Sequence, residues 1–208
     1  MKLYLVRHGE TEWNKLGRFQ GQNDNSLNEL GLAQARDTAR AAISWKPTAL
    51  YSSPLCRTMR VAEEISRLVG LPVAPDPRLK ELDLGELEGV TGDEMRTGWP
   101  RVYETWRNDP EAVMMPGGES LVQPQERTWQ AFQSLEDAHN QGDAIIMVSH
   151  NFAIRALCGK LLGLPLSHFH RMYLSLGSVS TMEKGALGWR LLTYNSTCHL
   201  SPENRTGH

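Results

Sequence analysis

The chain has 208 residues, of which 40% are hydrophobic and 22% are charged, and its formal net charge is −2 at pH 7. This length predicts one domain and is sufficient to bury a full hydrophobic core without disulfides or structural metals. A net charge so close to zero excludes a chain-wide electrostatic attraction to nucleic acid or to an anionic membrane. An anionic substrate would therefore require a local cluster of positive side chains.

The cysteines and the first residues bear on the cellular compartment. Cys56, Cys158 and Cys198 are scattered, odd in number and lack the spacing of metal ligands, so we expect free thiols in a reducing environment. The apolar run at residues 1–6 is too short for a signal peptide, and no apolar run approaches the length of a membrane span. These features predict a cytoplasmic protein.

The first part of the chain alternates short apolar strands with amphipathic helices. Ser26 and Glu29 form a capping box at the start of one helix, and Pro54 after Ser53 marks the start of the next. The predicted elements, in chain order, are strand 2–6, helix 26–45, strand 48–52, helix 53–70 and strand 72–74.

The second part of the chain continues this alternation after a segment rich in glycine, charge and tryptophan. Residues 144–149 are continuously apolar, which is typical of a central parallel strand. The predicted elements are helix 100–108, helix 120–140, strand 144–149, helix 151–162 and a hairpin of strands 178–183 and 189–194.

This order of elements predicts an α/β fold, a three-layer α/β/α sandwich with a mostly parallel central sheet. We expect one domain over residues 1–200, with residues 82–116 as an insertion over the active site. Residues 201–208 are expected to be a flexible tail, because chain termini are commonly frayed.

Reactive side chains follow three predicted strands at their carboxyl ends, where ligand sites form in parallel sheets. Arg7 and His8 end the first strand, Arg57 lies in the helix after the second, and His150 follows the long apolar strand. Arginine forks bind phosphate oxygens, and a neutral imidazole is a competent nucleophile. Because Arg7 and Arg57 disfavour the imidazolium form, we expect His8 to be neutral. The set suits phosphoryl transfer, which depends on positioning and charge stabilisation.

Six blocks of sequence, in a fixed order, resemble the histidine phosphatase superfamily, also called phosphoglycerate mutase-like. The first block is RHGETEWN at residues 7–14. The others are Phe19-Gln20-Gly21 with Asp24, Leu27 and Gly31; the run SSPLCRT at 52–58; Leu79-Lys80-Glu81 with Gly85 and Glu88-Gly89; PGGES at 116–120; and Val148-Ser149-His150. The resemblance spans residues 2–200 and implies the fold of that superfamily.

The resemblance also implies a role for each matching residue. His8 would be the nucleophile, and Glu81 would protonate the leaving group and then activate water. The residues that would bind the phosphoryl group or border the substrate are Arg7, Asn14, Gln20, Gly21, Arg57, His150 and Asn151. Asn151 and Phe152 stand where small glycines are common in the family, and Ser26 stands where proline is common.

The proton donor is the least constrained of these assignments. Asp83, Glu86 and Glu88 lie close to Glu81 in the sequence, and a run of charges is usually a solvated face. Glu81 is preferred because it occupies the position of the acid in the matching block.

The implied activity is metal-independent hydrolysis of a phosphate monoester on a small phosphorylated metabolite, with no cofactor. Family mutases that use bisphosphoglycerate are longer and carry an arginine and a tyrosine soon after the acid, whereas residues 81–89 read ELDLGELEG. This resembles the phosphatase branch, which includes alpha-ribazole and broad-specificity phosphatases. Phosphoglycerate mutase is the alternative, and a catalytically inactive phosphate-binding protein is a third. No nucleic acid or membrane partner is expected, and a homodimer is left open.

Overall fold

Strands and helices alternate along residues 1–206, the part of the chain that the computed structural model describes. The strands are β1 (Lys2–Arg7), β2 (Ala49–Ser52), β3 (Val73–Pro75), β4 (Ala144–Ser149), β5 (Val179–Gly185) and β6 (Gly188–Ser196). The α-helices are α1 (Glu12–Lys15), α2 (Glu29–Trp45), α3 (Cys56–Val69), α4 (Gly92–Gly98), α5 (Pro100–Asn108), α6 (Val122–Ala138) and α7 (Asn151–Leu161). Short 3-10 helices cover Pro77–Leu79, Gly85–Leu87, Leu166–Arg171 and Pro202–Asn204.

The strands form one sheet in the order β3-β2-β4-β1-β5-β6. Strands β3, β2, β4 and β1 are parallel, whereas β5 runs antiparallel to both β1 and β6. The register places Arg7 opposite Ser149, so that the ends of β1 and β4 meet at the same edge. The predicted α/β sandwich with a mostly parallel sheet is confirmed.

Alternate side chains of β1 pack on opposite faces of the sheet, as the period of a strand requires. Leu3 and Leu5 join an apolar cluster with residues of α6 and α7. Tyr4 and Val6 join a second cluster with residues of α2 and α3. All four side chains are buried, and full burial of a leucine or valine side chain stabilises a fold by about 1.5–3 kcal/mol. One pair of helices therefore covers each face of the sheet.

The start of α2 differs from the predicted capping box. Asn28 is the N-cap, and its side-chain oxygen accepts a hydrogen bond from the Gly31 N–H at 2.9 Å. The adjoining Leu27 forms an isolated β-bridge with Thr11, so the chain is still extended there. Ser26 consequently lies too early to cap the helix.

Residues 82–116 contribute most of a third apolar cluster, which packs against the α7 side of the sandwich. Phe152 and Phe169 stack there with ring centroids 5.5 Å apart. Leu84, from the same segment, reaches the cavity that contains His8. The segment thus lies beside the carboxyl edge of the sheet and shares apolar contacts with it.

Residues 201–206 make defined contacts, whereas a flexible tail was expected over residues 201–208. Buried Asp37 accepts hydrogen bonds from the Ser201 N–H at 2.9 Å and from Asn204 Nδ2 at 2.7 Å. These contacts fix the turn Pro202–Asn204 against α2, because a buried carboxylate requires such donors. Residues 207–208 lie outside the described residues. Between residues 1 and 206, no helix is both long and apolar enough to cross a membrane.

Candidate active site

A cavity of about 170 Å³ opens at the carboxyl ends of β1, β2 and β4. Every site residue predicted from the sequence lines it, except His150. His150 is fully buried next to it, with its ring centroid 5.2 Å from that of His8. The structure thus brings all of the predicted residues to one place. The predicted residues that line the cavity are Arg7, His8, Asn14, Gln20, Gly21, Arg57, Glu81 and Asn151.

His8 follows β1 in a tight loop, and its ring is oriented by the next residue. Its Nδ1 atom lies 2.7 Å from the Gly9 carbonyl oxygen, which requires a proton on Nδ1 and leaves the Nε2 lone pair free. A Cβ atom on Gly9 would lie 2.7 Å from the Gly31 carbonyl oxygen, so the close approach of these two chains requires glycine. The loop therefore holds the His8 imidazole with a free lone pair on Nε2.

The charge state of His8 follows from its surroundings. Burial lowers the pKa of His8 well below its usual range, and the cationic Arg57 and Arg7 lower it further. These are the causes expected for a histidine that is removed from water beside two guanidinium groups. His8 is consequently neutral at physiological pH.

The two arginines are held by main-chain carbonyl groups rather than by carboxylates. Arg57 is fully buried and donates to the carbonyl oxygens of Asn23 and Gly21, both at 2.7 Å. Arg7 donates through Nη1 to the Leu174 carbonyl oxygen. Within residues 1–206, the Nε atoms of both arginines are buried without a hydrogen-bond partner. Their charge is therefore available to an anion, and burial lowers the pKa of Arg7 only to about 10.

His150 is positioned by Ser53, a contact that the sequence did not reveal. The His150 Nε2 atom lies 2.8 Å from Ser53 Oγ, and its Nδ1 atom is buried with no partner among the described residues. We expected Ser53 to cap α3. The N-cap is instead Leu55, and the Leu55 side chain makes no capping hydrogen bond. Burial and the charge of Arg57 hold the pKa of His150 well below its usual range. The second histidine is thus also neutral.

Glu81 lies in a loop, with its carboxylate directed at the start of α7. Its Oε1 atom accepts from the Leu82, Phe152 and Ala153 N–H groups at 2.9, 3.1 and 3.3 Å. Burial is the largest influence and raises the pKa of Glu81 above its usual range, although these hydrogen bonds and Arg57 act in the opposite direction. A carboxyl group with a raised pKa is suited to donate a proton.

The neighbouring carboxylates are engaged elsewhere. Asp83 Oδ1 accepts from the Gly85 N–H at 2.9 Å, and Glu88 Oε1 accepts from the Gln22 N–H at 2.6 Å. Glu86 lies 3.4 Å from Trp99 Nε1. None of these three lines the cavity, whereas Glu81 does.

Arg127 of α6 is a second contact that the sequence analysis missed. It donates through Nη2 to the Glu81 carbonyl oxygen at 2.6 Å and through Nη1 to that of Arg78 at 3.1 Å. Its charge is balanced by Glu119, whose Oε2 atom is 3.0 Å away. A single arginine within a long amphipathic helix carries no sequence signal for this role. Its position nevertheless fixes the backbone of the loop that carries Glu81.

The family model described as histidine phosphatase superfamily (branch 1) matches residues 3–197. The chain belongs to this superfamily. The match runs from β1 to the last strand and includes every residue that lines the cavity, so the resemblance predicted from the six sequence blocks is confirmed.

Similar proteins carry more than one activity in their names. The chain is 35% identical over 201 residues to phosphoserine phosphatase 1 of Hydrogenobacter thermophilus, covering 96% of this chain and 94% of that protein. It is 36% identical over 209 residues to a Yersinia pestis protein named "Probable phosphoglycerate mutase GpmB", covering 96% and 95%. The solved structure of a mycobacterial glucosyl-3-phosphoglycerate phosphatase with VO3 matches with a TM-score of 0.87 at 30% identity, covering 94% of this chain and 99% of that chain.

Proposed function

We propose that this histidine phosphatase hydrolyses phosphate monoesters of small metabolites through a phosphohistidine on His8. The observation that carries the proposal is the hydrogen bond of His8 Nδ1 to the Gly9 carbonyl oxygen, at 2.7 Å. It leaves Nε2 as an unprotonated nucleophile beside the buried Arg57 and the half-buried Arg7, whose Nε atoms have no hydrogen-bond partner within residues 1–206. Membership of the superfamily and the phosphatases among its relatives support the same activity.

The first half-reaction transfers the phosphoryl group to the enzyme. Arg7, Arg57 and His150 bind the phosphoryl oxygens and stabilise the charge that spreads over them. The lone pair of His8 Nε2 forms a bond to phosphorus as the bond from phosphorus to the ester oxygen breaks. Glu81 gives its proton to that oxygen, and the alcohol leaves. Asn14, Gln20, Gly21 and Asn151 border the substrate.

The second half-reaction returns the enzyme to its starting state. The Glu81 carboxylate takes a proton from water, and the water oxygen forms a bond to phosphorus as the bond from phosphorus to Nε2 breaks. Inorganic phosphate leaves, His8 is neutral again and Glu81 carries the proton for the next cycle. Leu84, from the 82–116 segment, contributes to the wall of the cavity in which both steps occur.

Phosphoglycerate mutase activity is the second candidate, because a named mutase is among the relatives. A mutase returns the phosphoryl group to a bound intermediate instead of to water. A turnover screen of phosphate monoesters, with 3-phosphoglycerate plus bisphosphoglycerate included, separates the two. Release of inorganic phosphate from several monoesters is expected, and isomerisation faster than release would favour the mutase.

Trapping of the intermediate tests the mechanism directly. Rapid acid-free denaturation after mixing with radiolabelled substrate should leave phosphate on His8, and the label should be alkali-stable and acid-labile. His8→Ala should abolish label and turnover, whereas His150→Ala should slow labelling without moving it. A phosphate mapped to His150 or Ser53, or turnover that survives in His8→Ala, would overturn the proposal.

The mechanism uses no metal ion, because Arg7 and Arg57 supply the positive charge. Within residues 1–206, no group of three or more His, Cys, Asp or Glu side chains is arranged to hold a metal. Activity should therefore persist after treatment with a chelator, and loss that added magnesium restores would contradict this. A cytoplasmic location is a prediction that cell fractionation would test, and light scattering would determine whether the protein forms a homodimer.

A further inference from the structure

A second, larger cavity of about 680 Å³ adjoins the catalytic one. Arg7, Asn14 and Asn151 line both cavities, so the two adjoin at these side chains. His8 lines only the smaller of the two cavities. A substrate with its phosphate at His8 would therefore have room to extend past Asn14 and Asn151.

The larger cavity is lined by an excess of positive charge. Arg7, Lys15, Arg155 and Arg205 contribute cations, and Glu10 is the acidic residue among its lining residues. Glu10 is already engaged, because its Oε1 atom accepts from Asn28 Nδ2 at 2.7 Å. The Lys15–Glu12 ion pair spans 4.0 Å between two exposed side chains and is weak for that reason. The cavity thus has positive charge that the protein does not neutralise.

Arg155 is the best organised of these cations. Its Nη2 atom donates to the Phe169 carbonyl oxygen at 2.7 Å, and its guanidinium carbon lies 3.7 Å from the centroid of the Phe169 ring. Its Nε atom is buried without a hydrogen-bond partner among residues 1–206, and the carboxylate that acts on its charge is Glu81, which lies in the smaller cavity. A largely buried cation is costly unless an anion accompanies it. A fixed guanidinium without a counter-ion is a preformed site for such an anion.

The end of the chain places a further cation at this cavity. Asp37 holds Ser201 and Asn204, and Arg205 donates through Nε to the Leu200 carbonyl oxygen at 3.1 Å. These contacts position the exposed Arg205 side chain at the rim of the cavity, which it lines. The tail therefore contributes to the same positively charged surface as α7.

We propose that the larger cavity binds a second anionic group of the substrate, with Arg155 as its principal ligand. The proposal rests on the proposed function and narrows its substrate class to phosphate monoesters that carry a further carboxylate or phosphate. The ester phosphate lies against His8, Arg7 and Arg57. The second anionic group lies beyond Asn14 and Asn151, at Arg155, with Lys15 and Arg205 nearby.

Non-hydrolysable ligand pairs test this without turnover. Calorimetry would compare phosphonates that end in a carboxylate (phosphonoacetate, 3-phosphonopropanoate and 4-phosphonobutanoate) with alkylphosphonates of equal length. At least one carboxylate should bind about tenfold more tightly than its alkyl partner, as one charge-assisted hydrogen-bonded contact allows. A parallel series of α,ω-bisphosphonates shows whether the second group is better matched by a carboxylate or by a phosphate.

Variants locate the effect. Arg155→Met should reduce the ratio of carboxylate affinity to alkylphosphonate affinity to about one while leaving the alkylphosphonate affinity unchanged. Arg155→Lys should retain part of the preference for the carboxylate. Arg36→Met, at an exposed arginine outside both cavities, should change neither. The unchanged alkylphosphonate affinity verifies that the Arg155 variants are folded.

The outcomes separate this proposal from the function on which it rests. Equal binding within every pair, or a preference that survives in Arg155→Met, overturns the second anion site even if monoesters are hydrolysed. Absence of turnover with a persistent, Arg155-dependent preference would instead overturn the phosphatase proposal and leave the site in place. If Arg155→Met also fails to bind alkylphosphonates, Arg155→Lys becomes the deciding variant. A complete loss of the preference for the carboxylate ligand in Arg155→Lys would contradict a site based on charge.

Discussion

Arg127 holds the main chain of Glu81: its Nη2 atom donates to the Glu81 carbonyl oxygen at 2.6 Å. The same guanidinium group binds the carbonyl oxygens of Arg78 and Lys80, so it spans the irregular loop before Glu81. A loop without regular hydrogen bonds would otherwise allow the backbone of Glu81 to move. Through Arg127, helix α6 therefore fixes the backbone of Glu81, the proposed proton donor, without lining the cavity.

Replacement of Arg127 by methionine should mainly affect proton donation. We expect kcat for alkyl phosphates to fall by about 10–100-fold, because small displacements of a catalytic group are costly in rate. The fall should be much smaller for an activated aryl phosphate, whose leaving group needs no proton. Steady-state kinetics on both substrates measures this difference, with Arg36→Met as the control. An equal loss on both would indicate general misfolding rather than positioning of Glu81.

Glu81→Gln should separate the half-reactions more sharply. General acid catalysis typically contributes about 10²–10⁴-fold, so alkyl phosphates should lose about that much activity. The aryl phosphate should still phosphorylate His8, and the phosphoenzyme should accumulate because water is no longer activated. Rapid-quench measurement of the label reveals the accumulation. If Glu86→Gln rather than Glu81→Gln gave this pattern, the acid would have been assigned to the wrong residue.

The pH dependence follows from two shifts of opposite direction. The lowered pKa of His8 keeps the nucleophile neutral, so inactivation by its protonation should occur only at pH values below the usual range of histidine. The raised pKa of Glu81 keeps the acid protonated to a higher pH, and kcat should decrease as the pH rises through that value. A bell-shaped profile of kcat with an optimum on the acidic to neutral side is expected. Glu81→Gln should remove the alkaline limb, and a rate that still climbs above about pH 9 would refute this pairing.

Gln34→Ala should destabilise the protein through the loop that carries His8. Gln34 is fully buried, its Oε1 atom accepts from the Glu10 N–H at 2.8 Å, and its Nε2 atom donates to the Asn204 carbonyl oxygen at 2.8 Å. A buried group left without its partner costs about 1–3 kcal/mol, and the melting temperature should fall by roughly 2–4 °C for each kcal/mol. Gln133→Ala, at an exposed site on α6, should change stability by no more than about 0.5 kcal/mol.

The fold could be predicted from the sequence where a short stretch of residues carries the pattern of its own strand or helix. The continuous apolar run 144–149 coincides with β4 (Ala144–Ser149), because a strand covered on both faces has no polar alternation to obscure it. The helix predicted over 100–108 coincides with α5, whose start is set by Pro100. The strand ends then placed Arg7, His8, Arg57 and His150 at one edge of the sheet, where the structure has them.

What the sequence did not reveal depends on contacts between distant residues. Ser53 and Pro54 have the local pattern of a helix start, yet Ser53 binds His150, which is 97 positions away. Arg127 reaches Glu81 across 46 positions, and nothing in its own helix distinguishes it from a solvated arginine. Such pairings arise from packing of the layers and have no periodicity that a sequence pattern could display.

The loops of His8 and Glu81 are attached to helices on opposite faces of the sheet, which affects how substitutions can alter the activity of this enzyme. The loop of His8 is fastened by Gln34 to α2, which packs on one face, and the loop of Glu81 is fastened by Arg127 to α6, which packs on the other. The two loops of the active site are therefore attached to two different helical layers, each of which packs on its own face of the sheet. A slight shift of one layer would alter the spacing of nucleophile and acid while leaving the hydrogen bonds of each intact. Apolar substitutions beneath α6, at positions that no substrate reaches, would thus change the preference for leaving groups during evolution.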